Sequence, residues 1–62
     1  MHTVITKYIK ITDSEGYEWI GAGESYRVYG ETINGVLIKV FGNQFHVCNG
    51  DFKYITEEEY LE

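Results

Sequence analysis

Apolar and polar positions alternate along most of this chain with the period of two that places successive side chains on opposite faces of a pleated strand. In residues 3–11, Ile5, Ile9 and Ile11 share one parity and Lys7 is the exception. The pattern predicts a first strand with Ile9 and Ile11 in the core and Lys10 in water. Lys7 marks either the exposed start of the strand or a bulge. Residues 12–24 lose the alternation. Asp13-Ser14-Glu15-Gly16 is turn chemistry, residues 17–20 read as a brief extended piece, and Gly21-Ala22-Gly23 frees the backbone again, so one long, partly hairpin-like loop is expected.

Alternation resumes at residues 26–29, with Tyr26 and Val28 on one face and Arg27 and Tyr29 on the other. Asn34-Gly35 supplies two positions tolerant of positive φ directly before Val36-Leu37-Ile38-Lys39-Val40, a strong hairpin signal. Residues 26–29 are the expected partner of 36–40 across that turn. A second turn over residues 41–44 leads to Phe45-His46-Val47-Cys48. A third break at Asn49-Gly50-Asp51 ends this meander, Gly50-Asp51-Phe52 reads as a tight helical turn or bend, and a closing strand follows at residues 53–56. The acidic end, residues 57–62, is expected to fray because like charges crowd it, although Tyr60 and Leu61 could tack it back.

These elements predict an all-β fold: five short strands in a small antiparallel barrel, closed or nearly closed, with a long loop after strand 1. Closure would also remove the free strand edges that invite aggregation. With 62 residues and no repeat or linker, the chain reads as one domain, 1–62, with an acidic tail at about 57–62. Six tyrosines, three phenylalanines and one tryptophan supply an unusually aromatic core for that size.

Several stretches resemble the small SH3-like β-barrel proteins of bacteriophages and mobile elements of Gram-positive bacteria. They are Tyr8-Ile9-Lys10-Ile11-Thr12-Asp13-Ser14-Glu15-Gly16, Ile20-Gly21-Ala22-Gly23-Glu24-Ser25-Tyr26-Arg27-Val28, residues 42–47, and Asp51-Phe52-Lys53-Tyr54-Ile55. In that family a V-x-V-x-D-x-x-G opening precedes L-x-x-G-x-x-Y-x-V, and the chain ends in a D-F-x-x-V strand. The resemblance covers about residues 7–57 and implies an SH3-like barrel. Its motifs are glycines and core positions, so it implies a fold and no activity. The ALYDY-like opening and paired prolines of peptide-binding SH3 domains are absent, and a proline-rich ligand is not implied.

Charge narrows the function classes. Five Lys or Arg against ten Asp or Glu give a net charge of −5, with Glu57, Glu58, Glu59 and Glu62 together at the end. Direct nucleic-acid binding is disfavoured, since it draws on clustered basic side chains, whereas a basic protein partner is electrostatically easy. A single Cys48 rules out an internal disulfide, and a reducing compartment follows. No signal-peptide-length or membrane-spanning apolar segment is read, so the expected location is the cytoplasm, including that of an infected bacterial host.

Candidate chemistry is sparse. His46 and Cys48 share a strand face, as metal ligands or a thiol with its base would, but two ligands are too few for zinc. Residues two apart on a strand also sit roughly 7 Å apart, and a barrel this small rarely encloses a pocket of about 300 Å³. Gly21-Ala22-Gly23 lacks the lysine and helix of a phosphate loop, and Glu24 would repel a phosphate. No enzyme, cofactor or metal is expected.

Tyr17, Trp19 and Tyr29 are the candidate partner-binding anchors, exposed or lining a groove, and rimmed by Glu15, Glu18, Glu24 and Glu31. Trp19 plugging one end of the barrel is the alternative. The expected function is a non-enzymatic protein-binding module that modulates or inhibits a basic host protein, with Glu15, Glu18 and Glu57, Glu58, Glu59 supplying charge. A homo-oligomeric subunit joined through an edge near residues 3–8, or a small-ligand sensor using the Trp19 loop, are the other readings.

Overall fold

The computed structural model describes residues 6–62. The fold is mostly β, in two three-stranded antiparallel sheets followed by one short helix. The strands are β1 (Tyr8–Ile11), β2 (Ser25–Arg27), β3 (Gly30–Thr32), β4 (Gly35–Val40), β5 (Asn43–Cys48) and β6 (Phe52–Ile55), and the helix is α1 (Glu57–Leu61). One sheet has the order β2-β1-β6 and the other β3-β4-β5. Among the described residues the two sheets do not close into a barrel. The part of the expected first strand before Thr6 lies outside the described residues.

Alternation decides what is buried. Ile9 and Ile11 of β1, Val36, Ile38 and Val40 of β4, and Val47 of β5 point between the sheets, with Ile20 of the long loop joining them. Tyr17, Tyr26, Val28, Phe45 and Phe52 pack against this cluster. Lys10 is half-buried, and Lys7 lies exposed just before β1.

The sixth strand arises where the chain changes sheets. Ser25–Arg27 pairs with β1, Tyr26 opposite Ile9, so it is not the hairpin partner of β4. That partner is β3. The switch occurs between adjacent residues: the Val28 N–H donates to the Lys7 carbonyl at 2.9 Å, and the Tyr29 N–H donates to the Leu37 carbonyl at 2.8 Å. Period-two alternation continues through such a corner, with Tyr26 and Val28 inward and Arg27 and Tyr29 outward, so the side-chain pattern is right even where the expected pairing is not.

The β3–β4 turn also differs from expectation by one residue. Thr32 pairs with Gly35, so Ile33 and Asn34 form the loop, and neither has positive φ. Gly35 is required for a different reason. A Cβ there would lie 1.9 Å from the Val47 carbonyl oxygen across the β4–β5 ladder. The next turn is tighter than expected: Val40 pairs with Asn43, and the two loop residues, Phe41 (φ 52°) and Gly42 (φ 79°), are both left-handed, as a type I′ hairpin demands.

The acidic end folds rather than frays. Thr56 Oγ1 accepts the Glu59 N–H at 3.2 Å, and Glu59 Oε1 accepts the Thr56 N–H at 3.4 Å, a reciprocal capping box. Glu57, Glu58 and Glu59 occupy the first turn, where the helix dipole favours negative charge, and this offsets their mutual repulsion. Tyr60 stacks on Tyr8 with ring centroids 4.4 Å apart, while Leu61 stays exposed.

Candidate functional site

The long loop between β1 and β2 is held at two points. Its start is shaped by Asp13 Oδ1, which accepts the Glu15 N–H at 2.9 Å, and by the Tyr17 N–H, which donates to the Ser14 carbonyl at 3.1 Å. The Tyr17 ring then turns inward. Its hydroxyl donates to Asp51 Oδ2 at 2.6 Å and accepts the Cys48 N–H at 3.0 Å. Burial, and then the hydrogen bond to Asp51, push the Tyr17 hydroxyl up to about 12. The Asp51 carbonyl also accepts the Thr12 and Asp13 N–H groups, so this one residue ties the start of the loop, and Tyr17 further on, to the turn between β5 and β6. Tyr17 is therefore a structural pin, not an exposed anchor.

Three residues later Ile20 enters the core, and the segment between these two attachments is forced outward. Trp19 adopts φ 69°, outside the extended conformation expected of it, and is 66% exposed. It does not plug the fold. Its indole meets the edge of the Phe41 ring, centroids 5.9 Å apart at 82°. Phe41, at the β4–β5 turn, is 83% exposed. Two exposed aromatic rings, each on a left-handed backbone that non-glycine residues seldom adopt, thus meet at one end of the molecule. Sequence reasoning missed Phe41, whose position before Gly42 in a two-residue loop is the signal that marks it.

Tyr29 belongs to a different surface. It is 54% exposed, with the Arg27 guanidinium 5.2 Å and the Lys39 ammonium 4.8 Å from its ring centroid. Beside it lies an open groove of about 330 Å³. It is lined by Thr6, Lys7, Arg27, Val28, Tyr29, Gly30 and Glu31. Lys7 pairs with Glu31 at 2.7 Å, and that bond and charge raise the lysine's pKa. This corner is locally basic, so Tyr29 is not part of an acid-rimmed patch, and Trp19 does not line the groove.

The acidic rim is smaller than expected. Glu31 is committed to Lys7, and Glu24 accepts the hydroxyl of Tyr26, whose pKa burial and that bond push up to about 12. Glu15 and Glu18 remain exposed on the loop that carries Trp19. Glu57, Glu58 and Glu59 lie on the helix stacked against β1, away from that loop in the fold's connectivity, and Glu59 is spent in the capping box.

His46 and Cys48 are closer than backbone spacing implies, with Nδ1 and Sγ 4.0 Å apart, and His46 Nε2 lies 2.9 Å from Thr32 Oγ1. Among the described residues no third His, Cys, Asp or Glu joins them in a metal-holding group. No helix there is long and apolar enough to cross a membrane. Comparison with known proteins finds no matching family model, curated protein or solved structure.

Proposed function

We propose that this chain is a non-enzymatic protein-binding module whose docking surface is the Trp19–Phe41 pair, flanked by Glu15 and Glu18. In this reading it is a small SH3-like domain carried by a bacteriophage or mobile element. It acts in the cytoplasm of a bacterial host, binding a host protein through a basic surface and modulating or inhibiting it. The order of the strands, the long loop after β1 and the sheet-to-sheet corner at Val28 and Tyr29 support the SH3-like part of the reading.

The aromatic pair carries the functional part. Left-handed non-glycine residues cost roughly 1–3 kcal/mol each and persist where surrounding structure or function holds them. Here two such residues face water, and neither ring fills the core. Trp and Phe in that position offer large contact area at small entropic cost, and a net charge of −5 steers a basic partner toward them.

The test is capture of a basic protein from host lysate at low salt, followed by a binding titration of the purified pair. High salt, Trp19→Ala and charge reversal at Glu15 and Glu18 should each weaken binding, the last through a slower association rate. Tyr29→Ala should not. Binding indifferent to salt and to Trp19→Ala would refute the proposal.

A further inference from the structure

The free edges of the described sheets are β2, β3, β5 and β6. Three of them are short and carry a charge: Arg27 in β2, Glu31 in β3 and Lys53 in β6. β5 is different. Its six residues, Asn43-Gln44-Phe45-His46-Val47-Cys48, hold no Lys, Arg, Asp, Glu or Pro. Charge, proline, bulges and a covering loop are means by which sheet proteins keep edges from pairing; here only the last is present, and only at Cys48, where Tyr17 of the long loop meets the edge.

Its hydrogen-bonding groups can be assigned. In a two-residue hairpin the residues flanking the loop exchange both backbone hydrogen bonds, so Val40 and Asn43 form a bonded pair, and bonded pairs then alternate. Phe45 and Val47 therefore bond to β4, while Gln44, His46 and Cys48 turn their backbone groups outward. The Cys48 N–H bears this out by donating to Tyr17 Oη, on the side away from β4, and its carbonyl accepts from Asp51. The outward N–H and C=O of Gln44 and His46 have no partner among the described residues.

Those four groups are disposed symmetrically about Phe45. We infer that β5 is a homodimer interface, at which a second copy of this chain pairs antiparallel about a two-fold axis through Phe45. Gln44 then bonds with His46 of the second copy and His46 with its Gln44, which satisfies all four groups and joins the two outer sheets into one of six strands. The two Phe45 residues face each other as a non-bonded pair, the closer kind, and cover the parts of their half-buried rings left open in the monomer. The same register sets Gly42 of the second copy against Cys48. Pairing stops short of that position, because both outward groups of Cys48 are already taken, by Tyr17 Oη and the Asp51 N–H.

Because each copy carries −5, dimerisation should strengthen as salt screens their repulsion, the reverse of the salt dependence expected for a basic partner. Sedimentation equilibrium of the full chain, in reductant so that Cys48 cannot cross-link copies, should show a reversible monomer–dimer equilibrium that tightens with salt. Gln44→Pro removes an outward N–H without touching the β4 ladder, and should weaken association about tenfold, since each dimer loses two backbone hydrogen bonds. Amide exchange of the unsubstituted chain is the second readout: Gln44 and His46 should become protected as concentration rises, while Phe45 and Val47 stay unchanged. A chain monomeric at all concentrations, a dimer equally tight in Gln44→Pro, or exchange at Gln44 and His46 independent of concentration would each overturn the interface. Trp19→Ala should leave the dimer intact, so the partner-binding surface and this one fail separately.

Discussion

Replacing Gly35 with alanine puts a Cβ 1.9 Å from the Val47 carbonyl oxygen, 2.9 Å from the Val47 carbonyl carbon and 3.0 Å from the Cys48 Cα. All three obstacles are backbone, so no rotamer change relieves them. Real Cβ atoms essentially never come within 3.0 Å of such an atom, so β4 and β5 must part locally by roughly 1 Å or more. The adjacent bonded pair, Val36 with Val47, cannot stretch that far and remain hydrogen-bonded. Two bonds at about 1 kcal/mol each, plus looser packing of two fully buried valines, make a loss of at least ~3 kcal/mol. A domain of this length has total stability on the order of 3–9 kcal/mol, so the variant should lose at least about a third of it, and all of it at the low end of that range. Urea denaturation followed by far-ultraviolet circular dichroism measures it, with two glycine controls. Gly30→Ala meets only the mobile end of Leu37 at 3.2 Å and should change stability by less than ~1 kcal/mol. Gly42→Ala has open space but keeps a left-handed φ of 79°, and should lose about 1–2 kcal/mol. If Gly35→Ala proves no worse than Gly30→Ala, the close approach is not what demands glycine there.

Tyr17→Phe leaves the ring in place but strands the Cys48 N–H and the Asp51 carboxylate, and should cost about 1–2 kcal/mol with faster exchange of the Cys48 amide. Tyr17 and Tyr26 both have hydroxyls raised in the folded state from 10.0 to about 12, so folding favours their neutral forms. That stabilisation is fully present below pH 10 and is lost as pH rises toward 12. The urea midpoint should fall across that window, and a Tyr17→Phe, Tyr26→Phe double variant should flatten the fall; equal slopes would exclude these two groups as its cause. Phe41→Asn gives the turn the Asn-Gly dipeptide that type I′ hairpins prefer, and should raise stability by roughly 0.5–1 kcal/mol while weakening partner binding. A stability loss would mean that the Trp19 contact outweighs the left-handed strain.

What this chain states in its own sequence is local and periodic. The inward set of Ile9, Ile11, Tyr26 and Val28, the outward set of Arg27 and Tyr29, the strands over β4 and β5, and the closing strand over β6 all follow from side-chain alternation, which needs only neighbours in the chain. The capping box was equally legible, since Thr56 and Glu59 stand three apart; reading only the repulsion among Glu57, Glu58 and Glu59 hides it. Other features belong to contacts between distant segments. Period two is the same on either side of a corner, so it could not reveal that Ser25–Arg27 and Gly30–Thr32 serve different sheets. Gly35 reads as a turn residue until the Val47 carbonyl is seen against it. Tyr17 and Trp19 share a parity, yet one is drawn in by Asp51, 34 residues away, and the other is driven out onto Phe41. A pattern of hydrophobicity says which face a residue prefers; which partner waits on that face is set by how the chain returns to itself.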